Sequence, residues 1–345
     1  MKRKRIYIKS ASQISMQNPL SEEWMISPIV HQNGLIRSVE PDFRDYLTPM
    51  EARRMGKLLK RALVTSLRAI NQAGIEHPDA IITGTGLGCI DDTEQFLNAM
   101  CKEGEQYLKP TPFMQSTHNT ISSLIGVYTK NHGYNNTYSH NGISFESALL
   151  DAWLQFGLNR IDSALVGAHD EVTPLWYSLL KKQGYVTEND LAGECSVSFI
   201  LDTNSSGSLC ELSGIKILHA PTPNELETNV AAMLSDALTD VSDISAVMTS
   251  KCDNPQKDSL ITKVSGSLCP EKPLLHYKHL FGESYTSAGL GMYAAACCLN
   301  HSIIPTILYE TGGMQQVSSP RNILLLNISE GKDYSLILLK SSCGI

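Results

Sequence analysis

The feature that most constrains this chain is an alternation of short apolar runs, each of strand length, with stretches of helical periodicity, and the alternation starts afresh midway. Residues 5–9 read as a strand. Thr48-Pro49-Met50-Glu51 then supplies an N-cap threonine, a proline in the first turn and a glutamate three residues after the cap. Met55, Leu58, Leu59, Ala62, Leu63 and Ile70 follow at helical spacing, and Gly74 supplies the stop, so one helix is expected from Thr48 to Gly74. Residues 80–83 read as a buried strand, 145–156 as a helix closed by Gly157, and 163–167 and 196–201 as further strands. The densest turn cluster is Asn204-Ser205-Ser206-Gly207-Ser208. Beyond it the pattern restarts with strand 214–218, helix 225–238, strand 244–249 and a long apolar helix over 286–299. Two closing strands, 322–327 and 334–339, flank the turn Glu330-Gly331-Lys332-Asp333. Strands that alternate with helices and then start over predict two similar α/β halves, 1–206 and a shortened 207–345, within one integrated fold.

Composition narrows the function classes. The 345 residues carry a net charge of −7, with 42% hydrophobic and 18% charged side chains, which fits a chain with a large core and excludes disordered, collagen-like and coiled-coil readings. An acidic balance argues against a nucleic-acid partner. The only basic run, Lys2 to Arg5, reads as a solvated overhang, and residues 6–12 are too short and too polar for a signal peptide. No window approaches 18 uninterrupted apolar residues, so no membrane span is expected. The nine cysteines include no Cys-x-x-Cys pair, so neither a metal site nor a disulfide framework is expected, and the expected compartment is the reducing cytoplasm. Cys297 and Cys298 lie in an apolar run and read as small buried hydrophobes. Gly84-Thr85-Gly86-Leu87-Gly88 follows a strand, but its third glycine is one residue early for a dinucleotide-binding loop and the strand is not the first.

Several segments, in order, resemble the β-ketoacyl synthases of the thiolase-like superfamily. Pro112-Phe113 through Asn119-Thr120 to Gly133 and Asn135, followed by residues 144–152, is similar to that family's approach to its nucleophile elbow. Thr83 to Gly88 resembles its Gly-Thr-Gly-x-Gly strand end, Val166-Gly167-Ala168 its Gly-Gly strand, and Gly193-Glu194-Cys195 its Gly-Glu-Gly-Ala. Lys278 through Gly282 to Ala288-Gly289 is similar to its Lys-Ser-x-x-Gly-His-x-x-x-Ala-Ala-Gly. The resemblance covers most of the chain. It implies duplicated βαβαβαββ halves in a five-layer αβαβα architecture, acyl chains bound to an acyl carrier protein as substrates, and no cofactor.

A ketosynthase of this family needs a cysteine at a helix N-terminus to accept the acyl chain as a thioester, and two histidines for decarboxylation and enolate stabilisation. Counted from Asn119, the cysteine position falls on Gly142. The two histidine positions fall on Ser250 and Glu283, while the family lysine is retained as Lys278. The Gly-Phe-Gly-Gly loop becomes Ser329-Glu330-Gly331-Lys332. His140, Asn141, Ser144, Phe145 and Ile328 are candidates for the substrate pocket. Ser139 and Ser144 have no convincing base beside them, and His118, His169, Asp170 and Glu171 read as structural. The resemblance thus implies a ketosynthase-like subunit without its own Cys-His-His set. A chain-length-factor-like partner would form a heterodimer with a cysteine-containing ketosynthase, burying about 135–152 at the contact. A homodimeric acyl-binding protein, or an independent acyltransferase or condensing enzyme with another nucleophile, are the alternatives. Cys252 or Cys298 beside a histidine in the elbow's pocket would overturn the degenerate reading.

Overall fold

The computed structural model describes residues 4–184, 186–187, 190–252, 254–309 and 316–342, so Lys2, Arg3 and Cys343 lie outside the described residues. Ten strands form one sheet: β1 (Ile6–Ile14), β2 (Ala80–Gly84), β3 (Tyr134–Tyr138), β4 (Ser163–Asp170), β5 (Cys195–Asp202), β6 (Cys210–His219), β7 (Ala246–Thr249), β8 (Leu274–His276), β9 (Asn322–Ser329) and β10 (Asp333–Ser341). Their spatial order is β8-β7-β9-β10-β6-β1-β5-β4-β2-β3. Read outward from the centre, each half therefore places its first, fifth, fourth, second and third strand in turn. Strand directions repeat as well: β1 with β5 and β5 with β4 are antiparallel, β4 with β2 and β2 with β3 parallel, and β6 to β10 pair in the same way. The halves join through a short antiparallel β1·β6 ladder, Ile6↔Leu212 to Ile8↔Cys210.

Helices α1 (Lys57–Ala73), α2 (Ile90–Glu103), α3 (Thr120–Tyr128), α4 (Ser144–Gly157), α5 (Pro174–Lys182), α6 (Pro223–Asp236), α7 (Pro255–Leu268) and α8 (Ala288–Asn300) cover the strands. Period-two alternation explains the layering, because successive strand side chains point to opposite faces. In β9 and β10, Ile323, Leu325, Ile337 and Leu339 join a central core with α4 and α8. Their neighbours Leu324, Leu326, Leu336 and Leu338 pack outward on α6 and α7. In the first half Ala80, Ile82, Val197 and Phe199 face the same central core, whereas Ile81, Leu165 and Ile200 face α1 and α3. Each half of the continuous sheet makes one layer, which gives the thiolase-like arrangement of helices, sheet, helices, sheet, helices, and the buried strands read as unbroken apolar runs because both faces are covered.

The first helix differs from the sequence reading. The helix expected from Thr48 to Gly74 is two, Pro49–Arg53 and α1, because the chain breaks at Gly56, whose amide donates to Gln115 Oε1 at 3.1 Å. A Cβ at Gly56 would sit 2.6 Å from Asp92 Oδ2, so a larger residue at that break would have to displace the Asp92 carboxylate. The closing turn is as expected, with Ser329 paired to Asp333 and both Glu330 and Gly331 at positive φ.

Candidate functional site

The site lies where the strands of both halves end. β3 stops at Tyr138, Asn141 takes a positive φ of 46°, and a single tight turn over Asn141–Ile143 feeds α4. Ser144 Oγ accepts from the His140 amide at 2.8 Å and donates to the Asn141 carbonyl at 2.7 Å, so this hydroxyl is part of the turn itself. Beneath the turn, a Cβ on Gly84 would fall 2.4 Å from the Ser144 carbonyl oxygen, so the end of β2 must be glycine for the elbow to rest on it. Phe145 is fully buried and packs against the Phe199 ring at 5.9 Å.

The space over Gly142 is filled. A Cβ built on Gly142 would lie 2.0 Å from Ser329 Oγ and 2.9 Å from Ser329 Cβ, so the serine that ends β9 occupies the space a side chain there would need. A cavity of about 420 Å3 opens beside this contact. Leu180, Val186, Leu260, Ile261 and Ile328 make its apolar walls. Gly142, Ser250, Cys252, Lys278 and Glu283 line its polar side. Of the residues singled out from the sequence, Gly142, Ser250, Lys278, Glu283 and Ile328 are thus brought together. His140 and Asn141 are exposed outside the walls, while Ser144 and Phe145 are buried under the elbow. His140 Nδ1 lies 3.1 Å from Ser147 Oγ on the helix that follows.

Ser250 is buried, and its Oγ accepts from the Ile328 amide at 3.1 Å, which ties the end of β7 to the end of β9. Lys278 pairs with Glu283 through Nζ and Oε2. Burial alone would lower the lysine, but the facing Glu283 carboxylate outweighs it and the pKa stands above its ordinary value, so the ammonium is kept. Glu283 is anchored through its backbone, its amide donating to Leu191 O at 2.7 Å and its carbonyl accepting from Gly193 at 3.0 Å. Gly193-Glu194-Cys195 serves this packing: a Cβ on Gly193 would meet Phe281 O at 2.6 Å. Glu194 is buried in an ion-pair network with Arg37 and Arg61, and burial raises the Cys195 thiol.

The glycine-rich loop holds a carboxylate of the protein itself. Gly86 and Leu87 amides and Thr85 Oγ all donate to Asp170, at 2.8 to 3.0 Å. His169 is fully buried and pushed down to about 3 by that burial, so it is neutral, with Nδ1 2.8 Å from Ser196 Oγ. His118 is exposed and packs beside Gly88. Cys298 is buried and its thiol is raised to about 12, far from the cavity walls. No group of three metal-ligating side chains occurs among the described residues, and none of their helices is long and apolar enough to cross a membrane.

Two participants escaped the sequence reading. Glu146, in the first turn of α4, is fully buried and accepts from Asn327 Nδ2 at 2.7 Å and Ser335 Oγ at 2.9 Å, with burial raising its pKa. A lone acid on an otherwise apolar helix face was its available signal. Asp258, in the first turn of α7, accepts from the Cys252 amide at 3.0 Å and lies 3.7 Å from Cys252 Sγ. Cys252 does line the cavity, but no histidine does among the described residues.

Comparison with known proteins agrees with this geometry. Residues 26–256 match the family model for the β-ketoacyl synthase N-terminal domain. The search of curated proteins gives no match. Among solved structures, the ishigamide ketosynthase/chain length factor superposes with a TM-score of 0.79 at 16% identity, over 98% of this chain and 99% of that one. A type II polyketide synthase acyl-carrier protein in complex with its ketosynthase bound to the hexaketide gives 0.81 at 14% identity, over 98% and 99%. A ketosynthase in complex with its chain length factor from Xenorhabdus doucetiae gives 0.75 at 16% identity, over 98% of each chain.

Proposed function

The chain belongs to the β-ketoacyl synthase family, and from that premise we propose that it is the chain-length-factor-like partner of a cysteine-containing ketosynthase in fatty acid or polyketide-type synthesis. One observation carries the reading: the elbow position that must hold a thiol is Gly142, and Ser329 fills the space above it. A glycine cannot form a thioester, and the Ser250 hydroxyl is engaged with a backbone amide where a catalytic imidazole would stand. In this role the chain shapes the space for an acyl chain carried by an acyl carrier protein, and the partner supplies the thiol and the imidazoles. No cofactor is required.

The partner's place is β3. This strand ends the sheet with one edge unpaired, and Val127, Tyr134, Leu154 and Leu158 are exposed around it. A heterodimer joined there is the arrangement we favour, with a homodimer as the competing assembly. The repeated strand order supports dividing the chain at 206/207 into two halves of one unit, and the absence of a long apolar helix among the described residues is consistent with a cytoplasmic protein.

The test is reconstitution. The purified chain is incubated with acylated and malonylated carrier protein, alone and with a cysteine-containing ketosynthase. Condensed product only in the presence of the second protein, and only while that protein's cysteine is intact, is the expected result. Product from the chain alone overturns the reading in favour of an independent condensing enzyme with a nucleophile of its own.

A further inference from the structure

Two elements bring a thiol and an ammonium to the cavity, and a third sets a carboxylate against the thiol. Cys252 follows β7, Asp258 stands in the first turn of α7, and Lys278 follows β8. Cys252 Sγ lies 3.7 Å from Asp258 Oδ1, within reach of an S–H···O contact. Cys252 is also the only cysteine in the cavity wall among the described residues, and Cys89, Cys195, Cys210, Cys269, Cys297 and Cys298 are all buried elsewhere. Lys278 lines the same cavity, so an ammonium faces the space that Cys252 borders. Ser284 lines the same cavity, and its Oγ is buried without a hydrogen-bond partner among the described residues. The walls beyond are apolar, as an alkyl chain requires.

We propose that Cys252 is an acyl-accepting thiol of this cavity, with Asp258 as its base and an acyl thioester of medium chain length as donor. Asp258 takes the thiol proton, the sulfur attacks the thioester carbonyl, the donor's C–S bond breaks, and the donor leaves as a thiol carrying that proton. The acyl group is then held as a thioester on Cys252, with its chain along Leu260 and Ile261. The inference rests on the reading above only for the class of donor.

The experiment uses octanoyl-N-acetylcysteamine with the full chain, read by intact mass, hydroxylamine release and peptide mapping. Wild type is expected to carry one hydroxylamine-sensitive octanoyl group on Cys252. Cys252→Ser abolishes it, Cys101→Ala, at the exposed cysteine, leaves it in place, and Asp258→Asn slows its formation by about 10²-fold. Thermal melts of each variant separate lost folding from lost acylation. No adduct on the folded wild type, an adduct confined to other thiols, or an unchanged rate in Asp258→Asn overturns the proposal. Condensed product from the chain alone is read in a separate arm and bears on the partner-subunit reading, so the two ideas fail by different signals.

Discussion

The elbow of the first half and the Lys278 wall of the second face the same cavity, but they have kept opposite things. The elbow keeps its backbone: Asn141 at positive φ, Gly84 in contact with the turn, Ser144 closing it by two hydrogen bonds. It presents no side chain of its own at Gly142, where Ser329 fills the space a side chain would need. The wall carries charge, as the Lys278–Glu283 pair. A buried ammonium cannot be left alone, so its environment retains a compensating carboxylate.

That contrast is open to direct attack, and the largest effect is expected at the elbow's support. In Gly84→Ala the new methyl group meets the Ser144 carbonyl, backbone against backbone, and a loss of about 3 kcal/mol is expected in urea unfolding. A loss below about 0.5 kcal/mol would mean that the elbow is not resting on β2. Lys278→Met leaves Glu283 half-buried without its ammonium, for a loss of about 2 kcal/mol, discounted from a fully buried pair because Glu283 reaches solvent. Adding Glu283→Gln should restore most of it, and failure to do so would show that the lysine's packing matters more than its charge.

Glu171, behind the elbow, is an acid with a less complete partner. Burial first, opposed by the Asp91 amide and Arg61, raises it from 4.5 to about 7. The folded state therefore holds its proton more tightly than the unfolded chain. Stability from this group is present below about pH 4.5 and is lost as pH rises towards 7. Glu171→Gln should flatten that fall and gain about 1 to 2 kcal/mol at pH 8, measured by unfolding across the pH range. The smallest effect is expected at Gly142→Ala, about 1 kcal/mol, since the short Ser329 side chain can give way. In the double variant with Ser329→Gly the cost should vanish, and additive costs in that cycle would show that the two positions do not share one space.

Much of the fold was legible in the chain because its signals are local. Apolar runs at 80–83, 163–167 and 196–201 are strands covered on both faces, while Thr48 and Glu51 cap the helix Pro49–Arg53 and the Glu330-Gly331 turn joins β9 to β10. β3 was harder to read, since Tyr134-Asn135-Asn136-Thr137-Tyr138 is a polar edge strand without an apolar run. At the site, motif order placed Gly142, Ser250, Lys278 and Glu283, and the structure gathers all four around one cavity. It gave no means to see Ser329 over Gly142, Asp170 in the glycine-rich loop, or Asp258 at Cys252.

The sequence by itself thus determined the alternation of elements, the family and the glycine at position 142, because periodicity, capping and residue identity are properties of neighbours along the chain. Only the tertiary structure decided which side chain fills the space over that glycine and which thiol faces the cavity. Those contacts join residues from separate strands and from both halves, and Ser329 comes to lie over Gly142 only once the two halves have packed together.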